Sequence, residues 1–125
     1  MKTRTRYADI APFVTKDGSA IRELMHPASH ANTRQSLAEA RVEPGQTTAL
    51  HRHRSSEELY HVTAGKGEMR LGDSRFPVGV GDTVAIAPGT PHCVTNTGND
   101  TLVILCCCSP PYAHEDTDLL VPDAD

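Results

Sequence analysis

The chain has no tryptophan, and aromatic residues make up only 4% of its 125 residues. A hydrophobic core must therefore be built mainly from valine, leucine, isoleucine and alanine. The longest apolar run, residues 102–108, is far shorter than the roughly 20 residues that a transmembrane helix needs. The first residues also lack the pattern of a secretory signal peptide. We expect a soluble cytoplasmic protein that does not bind membranes.

Positive charge is sparse as well, and the formal net charge is −4. A surface that binds DNA or RNA would show a basic stripe with interleaved aromatic residues, and the sequence has none. The basic residues near the start, Lys2, Arg4 and Arg6, are interpreted as a solvated terminus. A chain of this length can form one domain whose core needs no disulfides. We therefore predict a single domain over residues 1–125 with no nucleic-acid partner.

Four cysteines are present, but no CxxC spacing that would indicate a zinc knuckle accompanies them. Three of them, Cys106, Cys107 and Cys108, are consecutive. In a strand Cys106 and Cys108 would share one face, and Cys107 would lie on the other. Two interpretations stay open, because buried thiols serve as small apolar core residues but can also line a site as redox-sensitive groups behind its ligands. The three consecutive cysteines indicate a protein of a reducing cellular compartment.

Turn-forming residues, in contrast, are abundant. Nine glycines and nine prolines lie between short apolar runs, which predicts many turns and an all-β fold. Strands are predicted over residues 35–42, 50–53, 58–63, 67–71, 82–86, 92–96 and 101–107. Residues 20–25 fit either a strand or a short helical turn. Residues 1–30 form a lead-in, residues 33–108 carry the core strands, and residues 109–125 form an acidic tail.

Among the seven histidines, His51 and His53 stand out together with Glu58 and a later His92. His51 and His53 are two residues apart, so in a strand both side chains project from one face. A hairpin-like return through residues 54–57 would bring Glu58 back towards them. Neutral imidazoles and a carboxylate suit one divalent first-row metal per chain, and iron, manganese, nickel, cobalt, copper and zinc are all compatible. Three nitrogens and one oxygen leave about two octahedral positions for water or substrate.

Two stretches around these residues resemble the two motifs of the cupin family. The first motif has a glycine, a His-x-His pair, a glutamate and a second glycine, and here it reads Gly45, His51, His53, Glu58 and Gly65. The second motif reads Gly81, Ala87, Pro88, Gly89, His92 and Asn96. Its one departure is Ala87, where the family usually has proline. We expect the loop to survive, because Pro88 and Pro91 stiffen it.

The resemblance implies a fold, a site and an assembly. The fold is the double-stranded β-helix, or jelly-roll barrel. The metal ligands would be His51, His53, Glu58 and His92. Glu58 is preferred to Glu57, because only Glu58 has the family's six-residue spacing to Gly65 and the inward direction. Cupins commonly form dimers and often exchange an N-terminal strand, so we expect a homodimer in which residues 10–25 are the candidate for exchange.

Further residues could reach this site. Tyr60 shares the face of Glu58, where it could offer its phenol to a substrate or fill the core. Gln35 could place an amide inside the barrel. His61 lies on the opposite face and is assigned to the surface or to a dimer contact. Residues 111–117 could form a surface tail or a flap over the barrel mouth.

For a member of this family that retains all four ligands, two functions are compatible. One is a metalloenzyme whose ion binds a small oxygen-rich molecule and polarises it, in an isomerase, decarboxylase, lyase or, with Fe(II), dioxygenase reaction. The other is a non-catalytic protein that holds a sugar, a sugar acid or another small ligand in the same barrel. A third interpretation, in which the metal serves only folding, predicts that a chelator unfolds the protein.

Overall fold

Eleven strands and two 3-10 turns make up the regular structure of residues 1–121, the part of the chain that the computed structural model describes. In chain order the strands are β1 (Phe13–Val14), β2 (Ala20–Met25), β3 (Ser36–Val42), β4 (His51–His53), β5 (Glu57–Ala64), β6 (Lys66–Leu71), β7 (Ser74–Gly79), β8 (Thr83–Ile86), β9 (His92–Asn96), β10 (Leu102–Ser109) and β11 (Thr117–Leu119). The 3-10 turns span Tyr7–Asp9 and His114–Asp116. Within these residues no helix is long and apolar enough to cross a membrane.

The strands form two antiparallel sheets that pack face to face. One sheet has the order β1-β2-β3-β10-β5-β8, and the other has the order β11-β4-β9-β6-β7. Neighbours in sequence such as β6 and β7 pair as a hairpin, whereas β10 runs between β3 and β5. Segments that are distant along the chain therefore close the sandwich. The prediction of an all-β jelly roll is confirmed.

The core lies between the two sheets and is mainly aliphatic. Along β5 the side chains of Glu58, Tyr60 and Val62 are buried, while the residues between them are exposed. This alternation is what a strand shows when one face meets a core and the other meets water. The apolar side chains that are at most 1% exposed are Val62, Met69, Ile86, Leu102 and Ile104.

The strand order places the predicted ligands on facing sheets. β4 pairs with β9 so that His51 lies directly opposite His92, and His53 follows two residues later on the same face. Glu58 comes from β5 in the other sheet, next to Cys108 of β10. All of these side chains point into the space between the sheets, so the site lies inside the barrel and not on its surface.

The C-terminal segment is neither a free tail nor only a flap. Residues Thr117–Leu119 form β11, which pairs with β4, so Thr117 lies opposite His53 and Leu119 opposite His51. The Asp116 carboxylate accepts hydrogen bonds from the backbone N–H groups of Ser55 and Ser56. The predicted tail therefore contributes an edge strand to the barrel, and residues 122–125 lie outside the described residues.

Two other segments differ from the predicted elements. β7 was not predicted, because Pro77 and Gly79 interrupt its pattern; it is an edge strand, where a missing N–H is tolerated. Ala20–Met25 is a strand and not a helical turn, paired with β3 of the same chain. Exchange of this segment between subunits, and the homodimer itself, stay predictions.

Candidate metal centre

His51, His53, Glu58 and His92 converge inside the barrel. One ligand atom from each lies within 4.8 Å of those of the other three, and all four side chains are buried. Glu58 Oε1 is 3.1 Å from His53 Nε2 and 3.4 Å from His92 Nε2. The structure thus brings together the four residues that the sequence predicted as ligands, and it leaves Glu57 exposed on the outer face.

Hydrogen bonds to the outer ring nitrogens set the orientation of all three histidines. His51 Nδ1 is 2.9 Å from the Ala49 carbonyl oxygen, and His92 Nδ1 is 2.9 Å from that of Thr90. His53 Nδ1 is 2.9 Å from Thr117 Oγ1, whose own hydroxyl donates to the Ala113 carbonyl. Because these oxygens act as acceptors, each Nδ1 donates and each Nε2 is the atom that can bind a metal; in this structure His53 Nε2 hydrogen-bonds Glu58 Oε1.

The loop of the second motif keeps its shape despite the alanine at position 87. The Gly89 N–H donates to the His53 carbonyl at 2.7 Å, and the Thr90 N–H donates to the Ala87 carbonyl at 3.2 Å. These bonds hold the loop beside β4, so that the Thr90 carbonyl can accept from His92 Nδ1. The expectation that the loop survives the substitution agrees with this geometry.

The charges and protonation states at the centre favour the binding of a cation. Burial alone would raise the pKa of Glu58, but the adjoining His53 and His92 rings lower this pKa to about 2, so the side chain is a carboxylate. Burial and the neighbouring His92 lower the pKa of His51, which favours its neutral, metal-binding form. His92 Nε2 is fully buried and has no hydrogen-bond partner among residues 1–121. Three Nε2 atoms beside a buried carboxylate fit a divalent transition metal.

Two thiols lie behind the carboxylate. Cys108 Sγ donates to Glu58 Oε2 at 3.1 Å, and Cys106 lies on the same inward face. Burial, and then the Glu58 charge, raises the pKa of both thiols, so both are protonated at neutral pH. The predicted division of faces agrees with this arrangement, since Cys107 points to the other side of the sheet. Cys108 therefore helps to orient Glu58, while Cys106 also packs in the core.

The other predicted site residues divide between inside and outside. Tyr60 is buried and its ring centroid is 5.8 Å from that of His92, so its position suits both a core role and a site role. Burial, and then Glu58, raises the pKa of Tyr60, so the phenol donates and is not a ready base. Gln35 was predicted inside the barrel, and this is wrong. It is exposed, next to the outward-facing Cys107. His61 is exposed on the outer face.

Three residues contact the centre in roles that were not predicted from the sequence, although two of them lie in the possible flap, residues 111–117. Asp17 Oδ2 lies 3.8 Å from His51 Nε2. The Tyr112 ring packs edge-on against His53, with 5.8 Å between centroids, and Thr117 bonds its Nδ1. All three come from the terminal segments. No local period in the sequence marks their approach to the centre.

Three of the four ligands, His51, His53 and Glu58, line a cavity between the sheets. Its walls include residues of β2, β3 and β10 and of the two terminal segments. The space in which the centre of a water molecule can move is about 60 Å³. One water needs about 10–15 Å³ by this measure, so the cavity suits several waters or one small molecule.

The bond from His53 to Thr117 gives a test of ligand orientation. Replacing Thr117 with valine keeps the shape but removes the acceptor for Nδ1–H, and we expect a metal affinity that is weaker by about tenfold. Competition with a chromogenic chelator measures this affinity. The matched control is Thr83→Val, which removes the same kind of bond from the exposed His61. Equal metal affinities for the two variants would show that Thr117 does not orient a ligand.

The comparisons with known proteins agree with this fold and site. Residues 38–108 match the sequence model of the cupin domain. The chain is 52% identical over 117 residues to the uncharacterized protein MJ1618 of Methanocaldococcus jannaschii, with 94% of each chain covered. It is 30% identical over 84 residues to the oxalate-binding protein of Thermotoga maritima, with 67% of this chain and 65% of that protein covered.

A solved structure supports the fold alone. The polyketide cyclase RemF from Streptomyces resistomycificus superposes with a TM-score of 0.80 at 22% identity, over 100% of this chain and 89% of that one. At this identity the likeness concerns the arrangement of strands and not the reaction. Because the cupin domain model matches more than half of the residues of this chain, the chain belongs to the cupin family.

Proposed function

We propose that this cupin is a metalloenzyme that binds a small oxygen-rich molecule at a divalent transition metal held by His51, His53, Glu58 and His92. The observation that carries the proposal is the convergence of three imidazole nitrogens on a buried carboxylate, with His92 Nε2 lacking any partner in the described structure. The name of the oxalate-binding relative supports a small oxygen-donor ligand.

The bound metal would supply Lewis-acid polarisation of a coordinated oxygen. The protein's own residues would bind the metal, orient its ligand side chains and enclose the bound molecule. The Nδ1 bonds keep the three imidazoles in place, and Cys108 holds the Glu58 carboxylate. The Tyr60 phenol lines the cavity and is available to donate a hydrogen bond to the ligand. The cavity beside the ligands can accept a small molecule.

The second candidate function is a non-catalytic binding protein with the same metal centre. It is supported by the oxalate-binding relative, whose name records binding and no reaction. The two candidates differ in one observable, because an enzyme converts its ligand and a binding protein returns it unchanged.

Metal analysis followed by a substrate panel tests the proposal. We expect about one first-row metal ion per chain in the purified protein, as expected for one four-donor site, and elemental analysis identifies it. The metal-loaded protein is then incubated with small hydroxy acids, dicarboxylates, keto acids and sugars, and product formation is followed by mass spectrometry. His51→Ala should abolish turnover while the circular dichroism spectrum stays that of the folded protein. Ligand binding without turnover, for any metal tried, would favour the binding protein, and absence of metal binding would refute both.

A further inference from the structure

The turn between β1 and β2 brings a second carboxylate, that of Asp17, close to the metal centre. Asp17 Oδ1 accepts three hydrogen bonds, from Thr15 Oγ1 at 2.8 Å, Ser19 N at 2.9 Å and Ser19 Oγ at 2.6 Å. These bonds hold the carboxylate group in one orientation. Its second oxygen, Oδ2, accepts no hydrogen bond from residues 1–121 and lies 3.8 Å from His51 Nε2.

The turn that carries Asp17 is hydrogen-bonded to the segment just before His51 and to the C-terminal segment that orients His53. The Asp17 carbonyl accepts from the Ala49 N–H at 2.8 Å, two residues before His51. Lys16 Nζ donates to the carbonyls of His114 and Thr117 at 3.1 and 2.7 Å, next to the strand that orients His53. The Asp17 side chain is only 13% exposed. Its free oxygen is therefore a fixed part of the cavity wall.

We propose that Asp17 selects the ligand of this site: its free oxygen accepts a hydrogen bond from a protonated oxygen of a molecule bound beside His51, and it repels a fully ionised one. The preferred class is then a hydroxylated chelating molecule with at most one negative charge, such as an α-hydroxy acid. This inference rests on the proposed function, since it assumes a metal-bound ligand in the same cavity.

The chemistry of a carboxylate oxygen explains the selection. An ionised carboxylate accepts hydrogen bonds but donates none, so it can pair with a ligand hydroxyl and not with a bare oxyanion. Because the group is mostly buried, its repulsion of a second negative charge is weakly screened by solvent.

The charge of the whole cavity acts in the same direction. Among residues 1–121, three carboxylates line it, those of Asp17, Glu23 and Glu58, against one ammonium group, that of Lys16. The Lys16 ammonium is turned towards the backbone carbonyls, so it is poorly placed to bind an anionic ligand. A divalent ion would make the lining neutral, and a dianionic ligand would then leave an uncompensated double negative charge.

Calorimetric titration of the Co(II)-loaded protein with glycolate and with oxalate tests this selection. Both probes are two-carbon chelators, but glycolate keeps a hydroxyl proton and oxalate is a dianion. In Asp17→Asn the amide oxygen can keep the three bonds of Oδ1, which places an N–H₂ group where Oδ2 was. We expect oxalate to bind about tenfold more tightly to this variant than to the wild type, and glycolate about threefold less tightly.

Glu23→Gln is the matched control, because it removes the same charge from the cavity wall without a group beside His51. It should tighten the binding of both anions slightly, so the ratio of glycolate to oxalate affinity should change less than in Asp17→Asn. Asp17→Ser, which removes the free oxygen by shortening the side chain, repeats the test should the asparagine variant not fold.

The outcomes separate this inference from the proposed function. If Co(II) binds but the ratio of glycolate to oxalate affinity is the same in the wild type and both Asp17 variants, the selection by Asp17 is refuted and the metal centre stands. If Glu23→Gln changes the ratio as much as Asp17→Asn, general charge and not the Asp17 oxygen selects the ligand. If Co(II) does not bind the wild type, the proposed function fails and the inference fails with it.

Discussion

Replacing His92 with alanine is expected to lower the affinity for a divalent first-row metal by more than about a hundredfold, because loss of a bond that only orients a ligand already costs 10–100-fold. His92 is fully buried and lies opposite His51 in the sheet. Its Nε2 is the atom without a partner among the described residues, and it faces Glu58 Oε1 at 3.4 Å. The variant would keep a buried carboxylate with fewer groups to compensate its charge.

The measurement is a titration of the apoprotein with Zn(II) or Co(II) in competition with a chelator of known affinity. His61→Ala is the matched control, since His61 lies on β5 but is exposed on the outer face. We expect that control to bind metal like the wild type. Wild-type affinity in His92→Ala would show that the four converging side chains are a buried polar cluster and not a metal site.

Replacing Gly65 with alanine should lower the free energy of unfolding by about 3 kcal/mol, a large part of the 5–15 kcal/mol that stabilises a typical domain. Two costs combine at this position. The φ angle of Gly65 is +79°, which disfavours any residue with a Cβ. A Cβ would also lie 2.7 Å from the Thr101 carbonyl oxygen and 2.9 Å from the Cα of Leu102, and this backbone cannot move aside cheaply.

Gly45→Ala separates the two costs. Gly45 has nearly the same φ, +78°, but a Cβ there would meet no atom within 4 Å. We expect this variant to lose only about 1 kcal/mol, the cost of the left-handed conformation. Urea denaturation of both variants and the wild type gives the comparison. Equal losses at the two positions would mean that the backbone around Thr101 relaxes to admit the methyl group.

Side-chain direction in strands was predictable from the sequence because it depends only on parity along the chain. His51 and His53 share a face for this reason, and Glu58 points inward while Glu57 does not. The same rule separates Cys107 from its two neighbours. The glycines and prolines then marked the turns between the predicted strands, whereas the full set of converging side chains was implied by the resemblance to the cupin motifs.

The wrong prediction for Gln35 has a physical cause in β3. There the inward face carries Ser36, Ala38 and Ala40, which line the cavity, whereas the larger Leu37 is 38% exposed on the outside. A strand that borders a cavity needs small side chains inward. Hydrophobicity alone therefore gives no reliable guide to which face of this strand is buried.

By itself the sequence determined an all-β fold and the shared direction of His51 and His53, because both depend on local alternation and on turn residues, and its two cupin-like motifs implied the jelly roll and the meeting of these residues with Glu58 and His92. Only the tertiary structure decided what surrounds that centre. Thr117 bonds a histidine that lies 64 residues away along the chain, and Asp17 reaches His51 from a turn outside both motifs. Such contacts arise from the pairing of distant strands and from the docking of the terminal segments, and no local pattern encodes them.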